Sequence, residues 1–213
     1  MGLRELKKQQ TRAALSDTAM GLFVERGFDQ VAVAEVARAA GVSVNTVFNY
    51  FPTKEDLFFD RQAEVEAHLA EVVRNRPDGS SAAAAVCADL LAGLERNEPT
   101  LALSAEARTF WRVVSDSPAL QARGREIAER SEAALAAALA EESAVGPGDP
   151  LPAVLAGAIA GAHRAVTAEI RRRVVAGEPE ESIRGAVTAA AERAFALLRS
   201  GLDCFPEGAG NSR

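Results

Sequence analysis

The stretch "GVSVNTVFNYFPTKEDL" covers residues 41–57 and decides how the amino-terminal part of the chain folds. A glycine opens it, a serine precedes a short run of mixed polarity, and a proline ends that run. Glycine accepts a positive φ in a turn and serine is a favoured helix N-cap, so a tight turn followed by a helix over 44–51 is predicted. Thr53 and Asp56 have the spacing of a capping box, which predicts another helix after Pro52.

The residues on either side of the turn fit a helix-turn-helix motif. Residues 33–40 form a short predicted helix that stops at the glycine. Two short helices that cross steeply need a small residue at the contact, a permissive turn residue and an apolar residue that packs the second helix on the first. Ala37, Gly41 and Val47 meet these needs in order. In such a motif the second helix lies in the major groove of DNA. On this spacing alone, a generic corner between two helices explains the sequence equally well.

The whole chain predicts an all-α fold of about nine helices. Alanine is abundant and β-branched runs are scarce among the 213 residues, which favours helices over strands. Apolar stripes at helical spacing predict a long helix that begins after Thr53 and passes through Val72, and another that opens at Pro99 and carries Leu103. Two further long helices are predicted: one has an apolar stripe from Leu155 to Val174 and ends at Gly177, and the last starts at Pro179 and carries apolar residues up to Leu202.

The composition excludes several classes of function. The formal net charge is −6, so a basic chain that binds nucleic acid along its whole length is excluded. The charge reverses locally, because the first twelve residues hold Arg4, Lys7, Lys8 and Arg12 against one glutamate. No segment approaches 18 apolar residues and the start of the chain is polar, so no membrane span or secretory signal is expected. We therefore expect a cytoplasmic protein.

The sequence does not show a pattern that is typical of a catalytic site. The two cysteines, Cys87 and Cys204, do not have the spacing of metal ligands, and the chain has only two histidines, His68 and His163. No nucleophile-histidine-acid set or pair of carboxylates stands out. No catalytic residue, metal ligand or cofactor is therefore predicted.

A family resemblance emerges when the motif is taken together with its neighbours. The amino-terminal part resembles the DNA-binding domain of the TetR family of transcriptional regulators. The residues that carry the resemblance are Arg12, Gly27, Phe28, Val36, Ala37, residues 40–43, Thr46, Phe48, Tyr50, Phe51 and residues 54–57. It implies a DNA-binding domain over 9–69 with the helix-turn-helix at about 32–51, and a ligand-binding and dimerisation domain over 70–205. Independently of the resemblance, the tail over 206–213 is predicted to be disordered.

The resemblance and the side-chain chemistry together give a set of predicted DNA contacts. Asparagine can pair with adenine in two hydrogen bonds, and an aromatic ring can pack on a thymine methyl group. A hydroxyl at a helix amino end, a phenol and a lysine suit phosphate oxygens. The predicted DNA-binding residues are Arg12, Ser43, Val44, Asn45, Thr46, Phe48, Asn49, Tyr50 and Lys54. We assign Val47 and Phe51 to the core instead.

This sequence departs from the family pattern at places that bear on DNA affinity. The first short helix starts with Val31, Ala32 and Val33, where the family commonly has a serine or threonine that binds phosphate, so that helix lacks a good cap. Val44 stands where a basic residue is common and Phe48 where tyrosine is common. Each change removes a polar or charged group, so weaker electrostatic binding and a shallower salt dependence than in a basic relative are expected. The basic arm of residues 4–12 compensates in part.

The carboxyl-terminal part is predicted to bind a partner subunit and a ligand. A homodimer through the last two helices is expected, with Gly157 and Gly161 placed for close approach of a partner helix, because a dimer reads the two half-sites of a palindromic operator in double-stranded DNA. The residues predicted to bind a small apolar ligand are Leu90, Leu94, Phe110, Trp111, Val114, His163 and Thr167. The step from Ser117 to Leu120 faintly resembles regulators that respond to acyl thioesters or fatty-acid-like molecules.

Three functions follow from these features. The first is a repressor that a small apolar ligand releases from its operator; activation in place of repression is equally compatible with the sequence. The second is a dimeric DNA-binding protein that responds to no ligand, which the sequence does not distinguish from the first. The third is a helical-bundle enzyme, against which the missing catalytic groups argue.

Overall fold

The computed structural model of the protein describes residues 2–104, 107–146 and 148–202. This part of the chain holds ten α-helices, one 3₁₀ helix and no strand, which confirms the predicted all-α fold. The helices are α1 (Leu3–Arg26), α2 (Val33–Ala39), α3 (Val44–Tyr50), α4 (Lys54–Phe58), α5 (Gln62–Arg74), α6 (Ala82–Glu95), α7 (Ala107–Asp116), α8 (Pro118–Glu142), α9 (Leu151–Ala176) and α10 (Glu180–Leu202), with the 3₁₀ helix Pro99–Leu101 before α7. Cys204 and the predicted disordered tail lie outside the described residues.

The chain forms two compact units. Unit 1 comprises Met1–Ala63 and Thr109–Arg125, and unit 2 comprises Glu64–Arg108 and Glu126–Arg213. The boundary expected after residue 69 assigns residues 109–125 to the second part of the chain, whereas the structure groups them with the first. The physical reason is burial, since Val113, Val114 and Leu120 belong to the same hydrophobic core as α1 and α4. As functional domains, 9–69 and 70–205 stay a prediction.

An aromatic cluster forms the centre of unit 1. Phe23 from α1, Phe28 from the loop and Phe58 from α4 are at most 3% exposed, and their ring centroids lie 4.9 to 6.2 Å apart. Phe110 from α7 stacks on Phe58 with a centroid distance of 4.7 Å. Because a buried aromatic ring removes more apolar surface from water than any aliphatic side chain, this cluster is a main source of the stability of unit 1.

The helix-turn-helix forms as its spacing predicts. Ala37 is 2% exposed and Val47 is fully buried, so both lie where α2 and α3 pack together. Gly41 has a φ of +68°, a conformation that strains side chains with a Cβ atom. The N–H of Val42 donates to the carbonyl of Ala37 at 2.9 Å and closes the turn.

The long helix predicted after Thr53 is wrong, because it is broken into α4 and α5. The capping box is present, since Thr53 N donates to Asp56 Oδ2 at 2.9 Å and Asp56 N donates to Thr53 Oγ1 at 3.2 Å. The helix then stops at Phe59, whose ψ of +56° leaves the helical region. The ring of Phe59 meets Phe58 and Phe110 edge-on, at centroid distances of 5.0 and 6.2 Å. A buried Phe58 and a partly buried Phe59, both packed in one cluster, thus accompany a break that is not marked by a proline or a glycine.

The helix predicted to open at Pro99 is also wrong in its extent. Only the three residues Pro99–Leu101 form a 3₁₀ turn, which ends at Ala102 in a left-handed conformation with a φ of +48°. A left-handed residue cannot continue a right-handed helix, so Leu103 follows as irregular chain and α7 begins at Ala107.

Unit 2 is a bundle in which α6, α9 and α10 contact one another. Its core includes Leu90, Ile159, Ile170, Val187 and Phe195, each at most 2% exposed. Among the described helices, α9 is long and apolar enough by length and composition to cross a membrane. This is a weak indication, because helices that pack in the core of a bundle pass the same test.

Candidate nucleic-acid interface

The amino end of α3 is organised by Ser43. Its Oγ accepts a hydrogen bond from the N–H of Thr46 at 3.0 Å, which confirms the predicted cap. The same oxygen lies 2.8 Å from Thr46 Oγ1, and either hydroxyl is able to donate. The two hydroxyl groups therefore support each other at the start of the helix, and Ser43 stays exposed to solvent.

The outward side of α3 carries four exposed residues, which we call the reading face: Val44, Asn45, Phe48 and Asn49. Val44 is 39% exposed and Phe48 is 44% exposed. The opposite side of the helix ends in Phe51, which is fully buried as predicted. The reading face presents two amide groups between two apolar side chains and no formal charge. This combination suits base edges and methyl groups better than phosphate.

Arg12 points towards the protein at the carboxyl end of α3. Its Nη1 donates to the carbonyl of Tyr50 at 2.6 Å and its Nη2 donates to the carbonyl of Asp60 at 3.3 Å. The guanidinium carbon also lies 4.1 Å from the centroid of the Phe51 ring. A cation at a helix carboxyl end satisfies free carbonyls and opposes the helix dipole. In this arrangement Arg12 holds the end of α3 and joins it to the break after α4.

Lys54 is engaged within unit 1 in a similar way. Its Nζ donates to the carbonyl of Phe28 at 2.5 Å and lies 4.1 Å from the centroid of the Phe28 ring. Burial lowers the pKa of Lys54, although the nearby carboxylates of Asp29, Glu55 and Glu35 act in the opposite direction. The ammonium group therefore has a partner inside the protein.

The basic residues near the start of the chain form part of a helix. Residues 4–12 belong to α1, which begins at Leu3, so the predicted arm is the first turns of that helix. Arg4, Lys7 and Lys8 are all exposed, in contrast to Arg12 and Lys54. They are cations in unit 1 that remain at its surface.

The start of α2 has a cap that the sequence analysis missed. Ala32 offers no side-chain acceptor, as expected, but its N–H donates to Glu35 Oε2 at 2.8 Å. Arg26 Nη1 lies 2.7 Å from the other carboxylate oxygen of Glu35. The hydrogen bond from Ala32 and then that from Arg26 lower the pKa of Glu35. The available signal in the sequence was Glu35, which lies three residues after the N-cap residue Ala32.

The seven residues predicted to bind a ligand fall in both compact units. Phe110, Trp111 and Val114 belong to unit 1, where the two rings pack on its core and Val114 is 5% exposed. The other four belong to unit 2: Leu90, Leu94, His163 and Thr167. Two cavities of about 330 and 200 Å³ lie in unit 1 and unit 2, and none of the seven residues lines either of them. The predicted ligand site stays a prediction.

A polar cluster in unit 2 includes His163 together with two residues that the sequence analysis did not connect to it. His68 Nε2 lies 2.7 Å from Asp89 Oδ2. This hydrogen bond raises the pKa of His68 and lowers the pKa of Asp89. Burial, and then the charge of His68, lowers the pKa of His163 to about 4. No group of three or more potential ligands among the described residues is arranged to hold a metal ion.

Comparison with known proteins supports the interpretation of the amino-terminal part. Residues 15–60 match the sequence model of a family described as bacterial regulatory proteins, tetR family. The chain is 47% identical over 55 residues to the HTH-type transcriptional regulator LuxR of Vibrio harveyi, which covers 26% of this chain and 25% of that protein. It is 27% identical over 147 residues to the HTH-type transcriptional regulator TcmR of Streptomyces glaucescens, which covers 68% of this chain and 65% of that protein. The predicted resemblance to the TetR family is thereby confirmed.

The similarity in fold to a solved structure extends over more of the chain than these similarities in sequence. The crystal structure of NalD of Pseudomonas aeruginosa, the secondary repressor of the MexAB-OprM multidrug efflux pump, superposes with a TM-score of 0.57 over 87% of this chain and 97% of that chain. The identity is 18%, so this likeness concerns the fold alone. The matches to LuxR and TcmR span between a quarter and two thirds of those proteins' own lengths.

Proposed function

We propose that this chain is a DNA-binding transcriptional regulator that acts as a cytoplasmic repressor on a palindromic operator. The observation that carries the proposal is the reading face on α3, which is exposed while Val47 and Phe51 on the other side of the helix are fully buried. A helix held by its inner side with amide groups on its outer side is suited to the major groove. The match of residues 15–60 to a family of regulatory proteins supports the same function.

We further propose that the protein acts as a homodimer through α9 and α10. A dimer places two copies of α3 on half-sites about 34–36 Å apart, which a single copy cannot do. Large apolar side chains are exposed on both helices, with Val154 at 58% and Leu197 at 73%. Gly157 is not free for a partner, because a Cβ atom there would lie 3.3 Å from Glu132 of the same chain. Gly161 is not occluded in this way, because a Cβ atom there would meet only Arg164 Nη2, at 3.9 Å, so the exposed apolar residues and Gly161 support the dimer.

The proposed effector is a small apolar ligand, with an acyl thioester or a fatty-acid-like molecule as the class to test first. This class derives from the resemblance at residues 117–120. Ser117 and Leu120 are themselves buried in unit 1, and Ser117 Oγ donates to Asp29 Oδ1 at 2.8 Å, so this step also has a packing role. Ligand binding releases DNA only if the ligand prefers a conformation that DNA does not bind, with a typical coupling of about 1–3 kcal/mol.

Selection of binding sites from random double-stranded DNA tests the function directly. We expect a palindrome whose half-sites carry A·T pairs at the positions that face Asn45, Phe48 and Asn49. Asn49→Ala is expected to weaken binding to that site by about 1–3 kcal/mol, because an asparagine that pairs with adenine supplies that much discrimination. Asn75→Ala is the control, since Asn75 directly follows α5, is exposed, and its side chain donates to the carbonyl of Glu71 at 2.8 Å. Failure to enrich any site would contradict the proposed function.

The salt dependence of DNA binding tests which cations contact phosphate. Lys54→Met is expected to leave the slope of the logarithm of the binding constant against the logarithm of salt concentration unchanged, because its ammonium group binds the carbonyl of Phe28. Lys8→Met is expected to make the slope shallower by about 0.9, as for the loss of one phosphate contact. Fluorescence anisotropy titrations at several salt concentrations measure both slopes. An equal change in the two variants would mean that Lys54 leaves Phe28 and binds phosphate, as the family resemblance implies.

The second candidate is a dimeric DNA-binding protein that responds to no ligand. Two of the predicted ligand residues, Leu90 and Val114, are packed in the cores of their own units at 2% and 5% exposed, which favours it. Thermal unfolding in the presence of lauroyl thioesters and free fatty acids of several lengths separates the two candidates. A ligand that binds the folded protein raises the midpoint as its concentration rises, whereas the second candidate shows no change with any compound.

A further inference from the structure

Asp56 is a carboxylate buried within unit 1, and its side chain is 6% exposed. It lies on α4 and accepts three hydrogen bonds from side chains and backbone of other residues. Thr53 N donates to Oδ2 at 2.9 Å, while Gln62 Nε2 and Arg123 Nη2 donate to Oδ1 at 2.9 and 2.7 Å. Burial favours the neutral acid, but these hydrogen bonds outweigh it and keep the pKa of Asp56 below its ordinary value. The carboxylate is thus held as an anion by partners from three places in the chain.

Arg123 is the partner that the sequence does not reveal. Its side chain is 14% exposed, and it lies 67 positions after Asp56 in the chain. Besides the bond to Asp56, its Nε donates to Gln62 Oε1 at 3.1 Å. Gln62 is the first residue of α5, so the guanidinium group bridges the break between α4 and α5. The planar group with several N–H donors suits this double contact, which a lysine could not make in the same way.

The bridge acts on the segment that leads to the reading face. Only Phe51, Pro52 and Thr53 separate α3 from α4. Thr53 bonds to the same carboxylate as Arg123, and Phe51 is fully buried. A shift of Asp56 would therefore displace Thr53, which lies three residues after Tyr50, the last residue of α3. Ser16 also holds α4, since its Oγ donates to the carbonyl of Leu57 at 3.2 Å.

The residues of the bridge come from helices that contribute to both compact units. Gln62 belongs to unit 1, while α5 continues from Glu64 as part of unit 2. Arg123 also belongs to unit 1, while α8 continues from Glu126 as part of unit 2. Each helix thus meets the carboxylate through a hydrogen bond, from Gln62 on α5 and from Arg123 on α8.

We propose that Arg123 is a positioning residue for DNA recognition, which holds α4 and the carboxyl end of α3 in place through Asp56 and Gln62. The inference rests on the proposed function, because it gives the bridge a role in presenting the reading face. It goes beyond that function in assigning a residue outside the helix-turn-helix to DNA affinity. Arg123 itself makes no contact with DNA in this proposal.

The test compares Arg123→Lys with Arg130→Lys in the full chain. Arg130 is on the same helix and its Nη1 lies 3.3 Å from Glu66 Oε1 of α5, but its side chain is 53% exposed. Amide hydrogen exchange of the free protein is measured first. In Arg123→Lys we expect exchange over residues 53–62 to become about tenfold faster, as for the loss of a hydrogen bond to a charged group, with residues 15–23 of α1 unchanged. Arg130→Lys is expected to match the wild type.

DNA affinity is measured second, with the palindrome that site selection yields. We expect Arg123→Lys to bind it about tenfold more weakly than the wild type, with an unchanged salt slope, because no phosphate contact is lost. Asp56→Asn, which keeps the shape of the side chain, is expected to show the same pattern. If Asp56→Asn behaves like Arg123→Lys, the effect does not come from the lysine side chain that the second variant introduces.

The outcomes separate the inference from the proposed function. Unchanged exchange over residues 53–62, or faster exchange throughout unit 1, overturns the positioning role. Faster local exchange with unchanged DNA affinity overturns it as well, and so does a change in salt slope by about one contact. If the wild type binds no selected DNA, the proposed function fails, while the exchange data still decide whether Arg123 holds α4.

Discussion

Replacing Phe58 by alanine is expected to lower the free energy of unfolding by about 3–5 kcal/mol, the usual loss for a buried phenylalanine. Phe58 is 2% exposed and its ring meets four others, including Phe110, which stacks on it at 4.7 Å. Its removal leaves a cavity between α1, α4 and α7 that rigid neighbouring rings cannot fill. Chemical denaturation, followed by circular dichroism, measures the change.

Phe48→Ala is the matched control for this prediction. Phe48 is 44% exposed on the reading face, so its removal is expected to change the unfolding free energy by less than about 0.5 kcal/mol. The same variant is expected to weaken binding to the selected DNA by about 1–2 kcal/mol, because an apolar contact with the groove is lost. Equal losses of stability in the two variants would contradict the assignment of one phenylalanine to the core and the other to DNA.

Acidification from pH 6.5 to pH 4 is expected to cost the protein about 3 kcal/mol of stability through His163. The pKa of this histidine falls from 6.5 to about 4 in the folded protein, chiefly because it is buried. Between these values the unfolded chain binds the proton more readily, so stability decreases as the pH decreases. Denaturation curves of the wild type and His163→Gln across this range isolate the effect, since the variant is expected to lack this part of the pH dependence.

His68 is expected to behave in the opposite way and serves as the control. Its pKa is raised by the hydrogen bond to Asp89, so its contribution is fully present below pH 6.5 and is lost as the pH rises through its folded pKa. His68→Gln is therefore expected to destabilise the protein mainly at and below neutral pH. A wild-type slope between pH 6.5 and pH 4 that His163→Gln retains would show that His163 is not the group responsible.

Local patterns in the sequence were sufficient for much of the fold. Ser43, Thr53 and Gly41 predicted two caps and one turn, because each acts on backbone groups within three or four residues of itself. The stripes predicted nearly every helix for the same reason, since a helix face repeats over a few residues. The break after Phe58 was missed because both sides of it continue a helical stripe, and what accompanies it is the packing of the partly buried Phe59 against Phe110.

The DNA-binding site, like the fold, was predicted from the sequence only where short-range patterns determine it. Which residues of α3 face outward followed from the period of the helix once Val47 was assigned to the core. Whether a cation faces solvent did not follow, because Arg12 and Lys54 have long side chains whose partners, Tyr50 and Phe28, are 38 and 26 positions away. The family resemblance assigned both to DNA, and the structure gives both an internal carbonyl.

The sequence by itself determined the helix-turn-helix, its caps and the uncharged character of its outer side. These features depend on residue types and on spacings of a few residues, both of which are visible in the sequence. Only the tertiary structure decided that residues 109–125 complete unit 1, that Arg123 meets Asp56, and that His163 lies near His68 and Asp89. Contacts between distant positions depend on how helices pack, and packing is set by the whole core at once rather than by any one segment.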